Sequence, residues 1–149
     1  MSAGMTQTEL HTLAATALRD VLAAQFRVEA HAAAPGLEGL ATVGASVPLN
    51  GVTLEGQVRV HVSPQLARLL VERLLGQASG SAEEAQDLCR ELCNILAGHV
   101  AAALGRDGTL IELGTPSLPG PDADLIYRSH WLCEHEPLTF GLDIRMIHR

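Results

Sequence analysis

The sequence contains no lysine, and all ten of its basic residues are arginines. That absence excludes Schiff-base chemistry and a phosphate-loop lysine. Seventeen Asp and Glu against those ten leave a formal net charge of -7. Nucleic acid and anionic membrane surfaces both demand basic surface, so neither is expected as a partner. Cysteine is sparse and odd in number, with Cys89, Cys93 and Cys133, which argues against a disulfide framework. Residues 1–9 lack the basic-then-apolar pattern of a secretory signal. The expectation is therefore a chain of the reducing cytoplasm. The uncharged stretch 92–105 is too short to span a bilayer and holds Asn94 and His99. Aromatics amount to Phe26, Tyr127, Trp131 and Phe140, of which Phe140 reads as core. A glycine-rich nucleotide loop, an H-E-x-x-H helix and a Ser/His/Asp order are all missing.

What remains is a chain built to fold. With 149 residues, 47% hydrophobic and 18% charged, it suits one domain over 1–149. Thr6 and Glu9 form a capping box for a first helix with Leu10, Leu13, Leu18 and Leu22 at helical spacing, fading near 32–35. Residues 40–49 read as a strand, and Asn50-Gly51 as a type I′ hairpin turn. The next strand alternates: Val52, Leu54, Val58, Val60 and Val62 face one way, Thr53, Glu55, Gln57, Arg59 and His61 the other, at least partly wet. Ser63, Pro64 and Gly76 bound a short helix with Leu66, Leu69, Leu70 and Leu74 as its apolar stripe. Ser81 and Glu84 open a long helix that Gly105 stops. Residues 109–113, 125–134 and 138–147 read as strands around a Pro- and Gly-rich loop, 115–124. The sum is an α+β domain, a largely antiparallel sheet with long helices packed on one face.

The long helix carries a polar stripe. At 100° per residue with Asp87 at zero, Glu91 falls at about 40°, Asn94 at about −20° and Gly98 at about 20°. Leu88, Leu92, Ile95, Leu96, Val100 and Ala103 lie elsewhere, with Cys89 and Cys93 beside them. A mid-helix glycine costs roughly 1 kcal/mol relative to alanine, a cost accepted where another backbone must come close. A carboxylate and an amide one turn apart suit a particular chemistry. Hydrolysis of an aspartyl phosphate needs no strong base. It needs a water held in line with the P–O bond and compensated charge on the phosphoryl oxygens. An amide offers both donor and acceptor to such a water, and a carboxylate can grip a cation on the partner.

The run Asp87-Leu-Cys-Arg-Glu91-Leu-Cys-Asn94 resembles the Asp/Ser-x3-Glu-x2-Asn signature of the CheC/CheX/FliY chemotaxis phosphatases. That signature continues with a proline just over twenty residues later, and Pro116 follows Asn94 with twenty-one residues between. Glu91-Leu-Cys-Asn94-Ile-Leu-Ala-Gly98 and the order of elements are similar too, from about Leu18 onward. CheX-like members carry one such helix and CheC-like members typically two; one is found here, so CheX is the nearer match. The resemblance implies a CheC-like fold and a phosphatase acting on the aspartyl phosphate of a CheY-like response regulator. By the same resemblance Asn94 orients the attacking water and Glu91 contacts the regulator's active-site lysine. Asp87 and Gly98 belong to the partner-binding surface, Asp87 in a supporting role, and Pro116 shapes a neighbouring loop. Magnesium belongs to the regulator, so no cofactor of the chain's own is implied, and homodimers built by sheet contacts are a family trait.

Each feature also has an ordinary reading. Asp87 suits the helix dipole, and Pro116 is one loop-breaking proline beside Pro119 and Pro121. Cys89 and Cys93 fall on or beside the apolar stripe, where free cysteine acts as a small hydrophobe. With Cys133-x-His135 they lack the paired spacing of a structural zinc site. The alternative function is a non-catalytic module of the same fold that docks a receiver domain or a flagellar or sensory partner.

Overall fold

Three capped helices and one antiparallel sheet make up the computed structural model, which describes residues 6–76, 81–105, 108, 110–119 and 127–147. Helix α1 (Gln7–Phe26) starts where Thr6 Oγ1 accepts the Glu9 amide at 3.1 Å. Helix α2 (Pro64–Leu75) starts at Ser63, with proline in its first turn, and ends at Gly76 in the left-handed region (φ 72°). Helix α3 (Ala82–Leu104) starts where Ser81 Oγ accepts the Glu84 amide at 3.0 Å, and ends at Gly105, whose N–H donates to the Ala101 carbonyl. The strands are β1 (Ala30–Ala33), β2 (Val43–Gly51), β3 (Leu54–Val62), β4 (Ile111–Leu113), β5 (Tyr127–Cys133) and β6 (Glu136–Met146). Among the described residues they form one sheet in the order β1-β5-β6-β3-β2-β4, every pairing antiparallel. No helix among the described residues is long and apolar enough to cross a membrane.

The expected first helix ends earlier than its alanine-rich sequence suggests. Arg27 takes a left-handed conformation (φ 56°) and its N–H caps the Leu22 carbonyl. Val28 is buried, and residues 30–33 pair with β5 (Ala30 opposite Cys133) instead of extending the helix. Arg73 holds this corner, donating from Nη1 to the Arg27 carbonyl at 2.7 Å and from Nη2 to Glu134 at 2.8 Å. Helical propensity of alanine amounts to tenths of a kcal/mol per residue, and a paired strand outweighs it.

The β2–β3 hairpin exists, but its turn is not at Asn50-Gly51. Asn50 pairs with Glu55, Gly51 pairs with Ile111, and neither Asn50 nor Gly51 has a positive φ. The chain reverses over Val52 and Thr53, and Val52 stands 72% exposed rather than sharing the buried face. Pairing with β4 keeps β2 extended through Gly51. The two-residue turn with both residues at positive φ joins β5 to β6 through Glu134 (φ 49°) and His135 (φ 70°), between paired Cys133 and Glu136.

One face of the sheet lies under all three helices. Val47, Leu49, Val58, Val60, Phe140 and Leu142 are fully buried there, against Leu18, Leu22 and Phe26 of α1 and Leu92 and Leu96 of α3. The outward face of β3 is drier than its alternation implies. Arg59 and Asp143 are only 4% and 3% exposed, and Gln57 Oε1 accepts from both Arg59 Nε and Ser46 Oγ. Residues 114–119 run along the outer edge of β2. The Ser117 and Ser46 amides exchange hydrogen bonds with each other's carbonyls, and Gly114 donates to Pro48.

At Gly56 β3 leaves no room for a side chain, since a Cβ there would run into the Asp143 carbonyl oxygen of β6. We expect Gly56→Ala to destabilise the protein by about 1–3 kcal/mol or more, read as a lower urea midpoint. An unchanged midpoint would show that the sheet can open there freely.

Candidate functional site

Helix α3 is held by its buried arc. Cys89 Sγ lies 3.6 Å from the Val43 carbonyl and 3.8 Å from that of Val60. One turn on, Cys93 Sγ lies 3.6 Å from Ala45 O and 3.3 Å from Val58 O. The two thiols thus straddle β2 and β3. Leu88, Leu92, Leu96, Ala97 and Val100 bury the rest of the same arc. On the helical wheel with Asp87 at zero, Cys89 and Leu96 fall at about 200° and about 180°, so the polar stripe faces directly away from the sheet.

The stripe is outward as expected, and its members are not equivalent. Asp87 is exposed, but Arg90 Nη1 lies 3.0 Å from its Oδ1, so its charge is already compensated. Glu91 is exposed and has no ion pair with a described residue. Asn94 is half-buried, and its amide makes no hydrogen bond with a described residue. Glu91 and Asn94 are three residues apart, about 4.5 Å along the axis. At Gly98 an added Cβ would meet nothing within 4 Å. The glycine is therefore not demanded by packing within the described chain, and its helical penalty is offset by no internal contact.

Pro116 lies at the sheet edge and not on the helix. Leu113 pairs with Leu49, but Ser117 pairs with Ser46, so the register slips by one residue between them. Pro116 sits in that bulge, where a residue without an N–H breaks no ladder. Strand β4, just before it, packs against α3. Pro116 makes no hydrogen bond to the stripe.

The cysteines offer no reactive group. All three are free and buried. Burial pushes the Cys89 and Cys133 thiols up to about 12, with Arg90 opposing the rise at Cys89 and Glu134 adding to it at Cys133; Cys93 rises as well. A metal ligand or nucleophile would have to be thiolate. His135 stands in the exposed β5–β6 turn, and no group of three or more His, Cys, Asp or Glu among the described residues could hold a metal ion.

One feature of the site is not apparent from periodicity. Leu74, assigned to the apolar stripe of α2, is 46% exposed, and Leu75 is 56% exposed. With Val71 and Leu88 they line an open groove of roughly 240 Å³ between α2 and α3, rimmed by Glu84, Asp87 and Glu91. A signal was available: adjacent leucines before a helix-ending glycine point about 100° apart, so one helix face cannot bury both.

Solved structures alike in shape carry the same architecture. The chemotaxis protein CheX of Vibrio vulnificus superposes with a TM-score of 0.77 at 16% identity, covering 95% of this chain and 100% of that one. CheX of Desulfovibrio desulfuricans gives 0.71 at 20% identity, with 92% and 99% covered. The CheX of a CheX–CheY–BeF3–Mg2+ complex from Borrelia burgdorferi gives 0.68 at 18%, with 90% and 96% covered. No curated protein matches by sequence. At such identities the likeness is one of fold. The family itself is established by sequence, because the model of the chemotaxis phosphatase CheX matches residues 43–120, more than half of the chain and the whole of the signature helix. The chain therefore belongs to the CheX family of chemotaxis phosphatases.

Proposed function

We propose that the chain hydrolyses the aspartyl phosphate of a CheY-like receiver domain by laying the exposed face of α3 over the receiver's active site. The observation that carries this reading is the pair Glu91 and Asn94. Both point away from the sheet, and neither is engaged by a described residue. A polar pair held on a rigid helix, with its hydrogen-bonding capacity unused by any described residue, is organised for something outside the chain. The Borrelia relative, solved as a complex with CheY, beryllium trifluoride and magnesium, supports a receiver as that partner.

In this mechanism the Asn94 carbonyl accepts from the attacking water and its amino group donates toward it or a phosphoryl oxygen. The water is thereby held in line with the P–O bond. Positioning supplies the rate, because an acyl phosphate is already reactive. Glu91 pairs with the receiver's active-site lysine and fixes the register of the helix. Asp87, neutralised by Arg90, limits repulsion against an acidic receiver pocket. Gly98 leaves room for the receiver's backbone. Pro116 keeps the edge beside α3 out of the way through its bulge. Magnesium is supplied by the receiver, and this chain contributes no cofactor.

Loss of phosphorylated receiver, followed with and without the protein, tests the reading; decay no faster than the receiver's own would overturn it. Asn94→Ala should lower turnover on the order of a hundredfold with folding intact, comparable to removing one positioning donor. Parent-rate turnover in that variant would remove Asn94 from the mechanism. Glu91→Ala should weaken receiver binding and slow turnover together, by about tenfold in affinity. If affinity and rate both stay unaltered, the contact with the lysine is absent. Gly98→Ala should stabilise the fold by about 0.5–1 kcal/mol in urea melts while weakening the receiver complex. Greater stability with full affinity would leave the glycine without a docking role.

A further inference from the structure

The groove between α2 and α3 is not used by the mechanism above, although it shares Asp87 and Glu91 with it. Its two walls differ in chemistry. The α2 wall is apolar, made by Val71, Leu74 and Leu75, with Leu88 at the floor. The α3 rim carries Glu84, Asp87 and Glu91, which recur at three and four residues and so share one side of the helix. Only Asp87 among these carboxylates is ion-paired with a described residue. Large apolar side chains left half in water beside carboxylates that no described residue pairs match a partner side chain of complementary make-up, apolar with a positive charge beside it.

We propose that this groove sets which receiver the protein recognises. It takes a large apolar side chain flanked by a Lys or Arg, presented by the phosphorylated receiver next to its active site. The proposal rests on the reading of Glu91 and Asn94 as the receiver-facing pair. Leu88 is six residues from Asn94, about 9 Å along the axis. A body large enough to cover Asn94 and Glu91 therefore overlies the groove. The lysine contact at Glu91 holds the receiver against α3, and the groove then discriminates by shape and charge between receivers that all carry the same phosphoaspartate site. Leu74 and Leu75 sit outside the catalytic pair, so they affect binding and leave the positioned water alone.

The test uses the full chain and the receiver domains encoded in the same genome, each loaded with beryllofluoride for affinity and phosphorylated for turnover. The double variant Leu74→Gln, Leu75→Gln should raise Kd and KM at least tenfold, the loss of about one buried leucine. Its kcat at saturating receiver should stay within about twofold of the parent. Glu84→Gln should weaken binding at low salt, with the difference vanishing near 0.5 M salt as rim charges are screened. Urea melts confirm folding, and Leu75→Gln alone, at the more exposed position, serves if the double variant melts early. Unchanged Kd in the double variant and in Leu75→Gln would overturn the proposal. So would sedimentation showing that these substitutions dissociate a homodimer while receiver affinity is kept, since the occupant would then be a second copy. Failure of the phosphatase reading looks different: Asn94→Ala retains full turnover while the leucine variants still lose affinity. If the parent binds no receiver, both readings fall.

Discussion

The seat of α3 on the β2–β3 hairpin governs the whole arrangement. A helix presents a new side chain every 100°, so fixing one arc fixes the opposite one. Here the fixed arc is a line of thiols and leucines. Cys89 and Cys93 reach carbonyls on both strands, and Leu92 and Leu96 close the space around them. Cysteine suits this place because it is small enough to bring the helix near the sheet and still supplies a weak donor. Turning the helix by one residue would put a carboxylate over valines, and the cost of an unpaired buried charge far exceeds anything such repacking could return. The same packing that builds the core therefore aims Glu91 and Asn94 outward.

Charge is distributed to match. Several carboxylates of this acidic chain are paired internally. Arg90 takes Asp87, Arg145 lies 3.9 Å from Glu55 and 3.7 Å from Asp143, and Arg73 takes Glu134. The exposed pairs among these add little stability, but each removes a local negative charge. Glu91 keeps its charge on the stripe, beside the groove whose apolar wall comes from the last turn of α2. The proposed chemistry and the proposed partner discrimination share one helix face and divide along it.

Much of this was legible in the residues because it is local. Thr6, Ser63 and Ser81 cap the helices they were expected to cap, since a hydroxyl three residues before an amide needs nothing from the rest of the chain. The outward stripe was legible because helical period alone separates it from the leucines. What misled was also local. Asn50-Gly51 has the composition of a tight turn but runs on as strand, because β4 pairs with Gly51. The alanines after Arg27 favour helix but pair with β5. The hairpin of Glu134 and His135 carries no such composition, and strand register forces it.

By itself, then, the sequence determined the helices, their starts and the alternation of β3, and which side chains share a face of α3, because those depend on neighbours a few residues away. Only the tertiary structure decided which strands α3 covers, that Pro116 sits in an edge bulge, and that Leu74 and Leu75 open onto a groove. Most of those depend on pairing or packing between segments tens of residues apart. The periodicity of one segment contains no information about where another will lie.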